Sequence, residues 1–421
     1  MRSCLAKKVL PVIAVFGAAC GGAGSFSDDP AGALPVVLCA TGSTADWRGW
    51  ISYYSPPLVS ASWAAIQREN GSWRTIDATE AKVLLNPGER IGLARWLPAP
   101  STFVPPSAEI FFVTAEQAQT AFPCDSSSRR SLHGTVQGLG TGQGGYLSIG
   151  NRVTTLSDGP FTLDGVSPGK TDIVATRLGA PGKAILRHDV DYPNGSAISL
   201  LDFGSTEAVS LEPHTLAVND ANTTQFFGRS QIITQLGAEG LLSIDVAITG
   251  AATRTVTTYS VPESSLIDDD VQFLSVDPQD YRLAIVFYRH PTDRTMTLGP
   301  YATAATGTHL GTASNRTLRL DMPSQPEYGA QVTFSLCSGG DFHPAATLLV
   351  TKEYFGGTPA TWSVIVPDLA SVQGFPGGDL RASNLCSVQS LTNLPFVFAP
   401  QTTHEGDAFT FLTYGINVSN K

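Results

Sequence analysis

The dominant pattern along this chain is a series of short runs in which apolar and polar side chains alternate with period two. In "LLSIDVAITG" Leu242, Ile244, Val246 and Ile248 alternate with Ser243, Asp245, Ala247 and Thr249. The runs "YRLAIVFYR", "TLRLDMP", "ATLLVTKEYF", "TWSVIVPDL" and "FTFLTYGINV" repeat the signal through residues 217–421. Alternation of this kind predicts antiparallel strands with one buried face. The stretch "TLGPYATAATGTHLGTASN" interrupts it as a loop-like segment. Residues 217–421 are therefore either one large sandwich or two lobes split near 310.

The first folded segment, 35–126, carries "WISYY", "KVLL", "RIGLARWL" and "EIFFV", which predict short strands. "NPGE" at 86–89 has Pro and Gly where a tight turn needs them. The one helix predicted here is "TAEQAQTAF", with Thr114 as the cap and Gln117 reaching back in a capping box. It ends at Pro123, and "DSSSRRS" follows as a linker.

The beginning of the chain has a different character. Arg2, Lys7 and Lys8 precede an apolar run from Val9 to Ala19, and Gly17-Ala18-Ala19 bring small side chains up to Cys20. A basic start, a short apolar core and a small-residue end describe a secretory signal peptide, here residues 1–19. The run is too short for a membrane-spanning helix, which needs about 20 apolar residues. "GAAC" resembles the bacterial lipobox, in which the Cys is lipidated and becomes the first residue. Gly17 stands where that motif usually has a large aliphatic side chain, so ordinary cleavage after Ala19 or Ala23 stays open. Residues 20–34, rich in Gly, Ser and Asp, read as a flexible tether. Gly21 and Gly22 after the Cys resemble lipoproteins sent on to the outer membrane.

Composition changes the picture in two ways. Gly and Pro supply 41 and 28 residues and only 15% are charged, which favours strands joined by many turns. Loss of residues 1–19 removes three basic side chains and no acid, leaving 23 Lys and Arg against 36 Asp and Glu, a net charge of −13. That surface lacks the basic footprint of nucleic-acid binding. It would also be repelled by anionic lipid, so a membrane partner is reached through a lipid at Cys20.

Of six cysteines, Cys4 leaves with the leader and Cys20 is the lipid candidate. Cys39, Cys124, Cys337 and Cys386 remain, and four cysteines permit three connectivities. Cys39–Cys124 and Cys337–Cys386 are preferred, because each pair brackets one candidate domain. A zinc site is the alternative, without CxxC or HxxxH spacing to support it.

The segment "SDGPFTLDGVSPGKTDIVATR" at 157–177 turns at Asp158-Gly159 and alternates Phe161 and Leu163 with Thr162 and Asp164. It turns again over 165–169 and enters a strand with Ile173 and Ala175. Together with "LHGTVQG" at 132–138, it resembles the carboxypeptidase regulatory-like module. The resemblance implies a small transthyretin-like β-sandwich over 130–216, with no catalytic residues of its own. The whole chain, through "GSWRTI" and "RIGLARW", resembles large multi-domain bacterial lipoproteins, a class with no assigned activity.

Candidate chemistry is sparse. "GTGQGG" at 140–145 matches G-x-G-x-x-G, but the strand-like "YLSIGNRVTTL" follows where a phosphate loop needs a helix. "HEGDA" at 404–408 lacks the second His of a zinc-protease helix. The histidines at 133, 188, 214, 290, 309, 343 and 404 are dispersed and read as surface or loop residues. Asp268, Asp269 and Asp270, with Asp277 and Asp280, could offer oxygens to calcium. They do not fit an EF-hand loop and read as a solvated acidic turn. Trp73 and Trp96 lie in strand-like runs and are expected in a core. Trp47, Trp50 and Trp63 lie among Gly, Pro and Ser and are the candidates for a carbohydrate or partner contact surface.

The sequence thus predicts an all-β chain, with tandem antiparallel β-sandwich domains at 35–126, 130–216 and 217–421 after a cleaved signal peptide. The expected function is that of a non-catalytic cell-envelope lipoprotein, anchored in the outer membrane, with a structural or recognition role and no metal or cofactor. Polysaccharide or envelope proteins are the partners to consider. Two other readings stay open. One is a carbohydrate-binding surface protein using the N-terminal aromatics. The other is an envelope hydrolase, whose signature would be two carboxylates and a His in one cleft of 217–421.

Overall fold

Alternation in the sequence becomes alternation in burial. In the strand Gln225–Ile233 the residues at 226, 228, 230 and 232 are buried and those between them are half-exposed. In Thr361–Ile365 only Trp362 and Val364 are buried. The computed structural model describes residues 36–38, 61–69, 71–76, 83–99, 105–121, 130–140, 143–150, 152–167, 169–179, 181–219, 225–248, 253–267, 270–278, 282–301, 303–312, 315–338, 344–391 and 408–415. All of them belong to one compact unit, Pro35–Lys421. The fold is all-β, with several antiparallel sheets and a single seven-residue α-helix among the described residues.

Residues 130–210 form the first sandwich. One sheet holds Gly159–Val166, Arg130–Gln137 and Leu201–Asp202, in that order. The other holds Val209–Ser210, Lys183–Asp191, Lys170–Arg177, Gly145–Ile149 and Arg152–Leu156. Leu132, Leu147, Ile173, Ile185 and Phe203 fill the space between them. "GTGQGG" leads directly into the strand Gly145–Ile149, as its sequence context predicts. A Cβ on Gly145 would lie 2.3 Å from the Thr176 carbonyl oxygen. The glycine there serves close strand approach.

The middle sandwich follows immediately. Thr253–Ser260, Glu212–Asn219 and Arg294–Thr297 form one layer. Glu239–Ile248, Gln225–Ile233, Val271–Asp277 and Arg282–Tyr288 form the other. Leu216, Phe226, Val256, Leu274 and Tyr288 make its core.

The third sandwich corrects the expected organisation. The described strands of 35–126 do not stand apart as a sandwich of their own. Ser107–Thr114 pairs along one edge with Arg90–Leu97 and along the other, in parallel, with Pro344–Thr351. Six of its eight residues are buried, so both faces and both edges need cover. The resulting sheet packs on Thr306–Leu310, Thr317–Pro323 and Thr361–Ile365 through Ile110, Phe112, Leu320, Phe334 and Trp362. On the opposite face, Ala115 and Ala118 of the helix and Val83 and Leu85 pack against Ile91, Leu93, Phe111 and Val113. The loop-like stretch near 310 contains the strand Thr306–Leu310. Residues 217–421 therefore divide between two sandwiches. The strand Ala408–Gly415 joins them, pairing with Arg282–Tyr288 on one side and Asn384–Leu391 on the other.

Local signals held where neighbouring residues decide them. The helix spans Ala115–Ala121, and Gln117 Oε1 accepts from the Thr114 amide at 3.1 Å, the reciprocal arm of a capping box. The 86–89 turn forms with Gly88 at φ +74°, but the strand before it, Val83–Leu85, pairs with Val36–Leu38.

Candidate functional site

Among the described residues one group of side chains has the composition of a chemical site: Asp172, His188 and Asp270. The first sandwich supplies two of them and the middle sandwich the third. Asp172 lies in Lys170–Arg177 and His188 in the neighbouring strand Lys183–Asp191. Their ladder runs Thr171 opposite Val190, then Ile173 opposite Arg187, so Asp172 faces both His188 and Asp189. This is a β-bulge, a device that re-aims side chains. Asp189 takes φ +59°, the one non-glycine residue with positive φ among those described. Asp tolerates that conformation better than most residues. In that conformation its amide donates to Asp172 Oδ1 at 2.9 Å, while its carboxylate pairs with Lys170 at 2.6 Å.

The bulge leaves Asp172 and His188 on the outer face of the five-stranded sheet. The middle sandwich covers the part of that face around them. Val174, Ala184 and Leu186 of the first sandwich pack with Ile232, Ala238, Leu242 and Val261 of the middle one. The turn at 234–238 closes over the edge of this apolar joint, with Gly237 at φ +79°. Two consecutive amides of the turn divide between the acids. Gln235 N donates to Asp270 Oδ1 at 3.2 Å and Leu236 N to Asp172 Oδ2 at 2.9 Å. Ile267 N donates to Asp270 Oδ2 at 3.1 Å.

Both carboxylates are fully enclosed, at 1% and 0% exposure for Asp172 and Asp270. His188 lies between them, Nδ1 3.7 Å from Asp172 Oδ2 and Nε2 3.5 Å from Asp270 Oδ2. Both ring nitrogens are closed to solvent and neither makes a hydrogen bond among the described residues. Burial pushes the Asp270 carboxyl above the usual carboxylate range. The Ile267 amide, His188 and the Gln235 amide pull it back down, and the Asp172 charge adds to the rise.

This geometry corrects two sequence expectations. Asp270 is not part of a solvated acidic turn, because it is wholly buried; Asp268, Asp269 and Asp280 lie outside the described residues. His188 is not a surface histidine, because a neighbouring sandwich covers its strand. The sequence signal was an acid inside the apolar run "TDIVAT", and "HDVD" at the facing bulge. Neither identifies the partner, Asp270, which lies about 80 to 100 residues away in sequence.

The other predicted site residues fall as follows. Cys337 and Cys386 are joined, with Cα atoms 5.7 Å apart. Cys20, Cys39, Cys124, Trp47 and Trp50 lie outside the described residues, as do the four residues before Ala408 in "HEGDA". Trp63 does not offer a contact surface. It is 7% exposed, its Nε1 donates to the Gln373 carbonyl at 3.1 Å, and its ring meets Phe375 edge-on at 4.9 Å. Gly, Pro and Ser neighbours misrepresented its surroundings, because the residues that cover it come from the 369–383 segment. Trp73 and Trp96 pack half-buried against the same core, as expected of them.

Among the described residues no helix is long and apolar enough to cross a membrane. No protein-family model matches the chain, and no curated protein is found similar to it, so the site is read from its geometry.

Proposed function

We propose that this protein is a non-catalytic lipoprotein of the cell envelope that holds a body of β-sandwiches in place for a structural or recognition role. The observation that carries this reading is the continuity of that body. One twelve-stranded sheet runs from the middle sandwich into the third, and a buried apolar and acidic joint fixes the first sandwich to the middle one. Such a body suits presentation of a surface at a set distance from an anchor. The leader-like residues 1–19, the lipobox-like "GAAC" and the tether at 20–34 support attachment through Cys20. The Cys337–Cys386 bridge supports an oxidising compartment. The resemblance of 130–216 to a regulatory-like module supports a role without chemistry of its own.

Mass spectrometry of the mature N-terminus, with fractionation of cells expressing the wild type and Cys20→Ala, tests the reading. A diacylglyceryl-modified Cys20 in the membrane fraction, with release of Cys20→Ala, is the expected result. An unmodified N-terminus released from the membrane in both overturns it.

The two other readings gain no support from the described geometry. Trp63 is committed to a core. The two carboxylates and a His do meet, but only Asp270 comes from 217–421. Their reacting atoms are enclosed where a substrate does not reach.

A further inference from the structure

We propose that Asp172, His188 and Asp270 form a binding site for one divalent transition-metal ion, which staples the first sandwich to the middle one. Three observations carry this. The first is distance. One ligand atom from each of the three residues lies within 4.8 Å of the other two. The closest approaches of the ring nitrogens to the carboxylates are 3.5 and 3.7 Å. These exceed the ~2.7–3.2 Å of an N–H···O hydrogen bond. A single ion takes only one ring nitrogen, so one of these approaches would be an edge of its tetrahedron, close to the ~3.4 Å expected for metal bonds of about 2.1 Å, and the third ligand atom lies within 4.8 Å.

The second is charge. Ionised together, the two enclosed carboxylates would place two negative charges in the joint, and burying such charge unpaired is costly. One protonated imidazole can offset only one of them. The nearby cations are engaged elsewhere: Lys170 on Asp189, Arg187 on Glu207, and Arg289 on the Ile267 carbonyl. A divalent ion balances both acids at once.

The third is support. Four backbone amides orient the two carboxylates, from Asp189, Leu236, Gln235 and Ile267. Outer contacts of this kind fix metal ligands in position. Against them stands an imidazole whose two nitrogens are closed to solvent and without a hydrogen bond among the described residues. An imidazole with two carboxylates suits zinc or manganese better than calcium or magnesium, which prefer oxygen alone. The ligands are split across two sandwiches and shielded from solvent, so the ion's role is structural.

The test uses the full mature chain, stripped with chelator and dialysed, with Zn²⁺ and Mn²⁺ as probes. Calorimetric titration and thermal unfolding are followed for the wild type, His188→Ala and Asp270→Asn, with far-ultraviolet circular dichroism to establish that each variant is folded. The expected result is one ion bound per wild-type chain, with a rise in unfolding temperature on adding metal. Affinity falls by more than about tenfold in each variant. Equal binding by wild type and His188→Ala would place the ion elsewhere and overturn the proposal. So would a wild-type chain whose stability responds to neither metal. Should both variants fail to fold, the wild type decides alone: no uptake and no thermal shift after chelation refute the site.

Discussion

Removing the Cys337–Cys386 bridge should cost the third sandwich about 4 kcal/mol, nearly all of it through the unfolded chain. The two cysteines lie on neighbouring strands, Gln331–Cys337 and Asn384–Leu391, already held side by side by their ladder. The register steps from Ser335 opposite Ser387 to Leu336 opposite Leu385, so Cys386 is the extra residue of a bulge. The native contacts therefore stay in place when the sulfurs are removed. What changes is the freedom of the unfolded loop, and a separation of 49 residues corresponds to about 4 kcal/mol in the chain-entropy treatment. The variant to make is Cys337→Ala/Cys386→Ala. A reducing agent would not single out this bond, since the chain has other cysteines. Tryptophan fluorescence reports on this sandwich, because the four described tryptophans of the chain's six lie in its core (Trp63, Trp362) or against it (Trp73, Trp96). With a urea dependence of about 2 kcal/mol per molar, the midpoint should fall by roughly 2 M. A loss below about 1 kcal/mol would refute the reasoning, because the unfolded chain would then already hold these strands together without the bond.

Three further outcomes follow from particular contacts. Arg95 and Glu109 face each other across two strands at 3.2 Å, both fully enclosed. Glu109→Gln should destabilise by about 3–5 kcal/mol, whereas Arg95→Met/Glu109→Leu should cost much less; equal losses in urea titration would contradict this. Gly145→Ala should lower thermal stability by about 1–3 kcal/mol, since its Cβ would meet the Thr176 carbonyl, while Gly144→Ala, with nothing within 4 Å, should be close to neutral. A pair of equal effects would show that close strand approach is not what Gly145 serves. The Arg68 guanidinium holds the Glu89 carboxyl below its ordinary value. A depressed carboxylate contributes stability above its unfolded value of about 4.3 and loses it as pH falls through the folded value. The stability gap between wild type and Glu89→Gln should therefore narrow from pH 6 to pH 3. It should be small throughout, because Arg68 is nearly half exposed. A gap that does not change with pH would mean that the pair does not titrate as described.

Much of the fold was legible because the features that set it are local. Period-two alternation marks strands wherever one face is buried, and Thr114 and Gln117 specify a helix start within four residues. The failures have one cause in common, which is distant covering. Ser107–Thr114 reads as a strand, but its parallel neighbour, with Glu109 opposite Thr347, lies more than 200 residues on. No local pattern encodes which strand arrives there. Trp63 was misread from its neighbours in sequence, while Gln373 and Phe375 decide its surroundings. Asp172 and His188 occupy positions that alternation assigns to the outside of a sandwich. That assignment is right for the isolated module and wrong for the chain, because a second sandwich lies on that face.

The joint itself explains why these modules do not behave as beads on a string. Only Leu211 separates the last strand of the first sandwich, Val209–Ser210, from the first strand of the middle one, Glu212–Asn219. Leu211 is itself buried, and its amide donates to the Gly182 carbonyl at 3.0 Å. Gly240, near the start of Glu239–Ile248, lies so close to the first sandwich that a Cβ there would sit 2.4 Å from Val174 Cγ1. Glu239 N donates to Ser148 Oγ at 2.9 Å, a further hydrogen bond across the same face. A connector without slack, a glycine that admits the opposing strand and a shared set of amides and acids leave the two sandwiches no room to turn independently. The acid at 172 is satisfied only in that closed arrangement, since Leu236 reaches it across the joint, and His188 faces Asp270 from the opposite direction at 3.5 Å. Burial of two carboxylates is thus a mark of how firmly the joint is closed, and it gives the polar cluster a physical reason to require a cation.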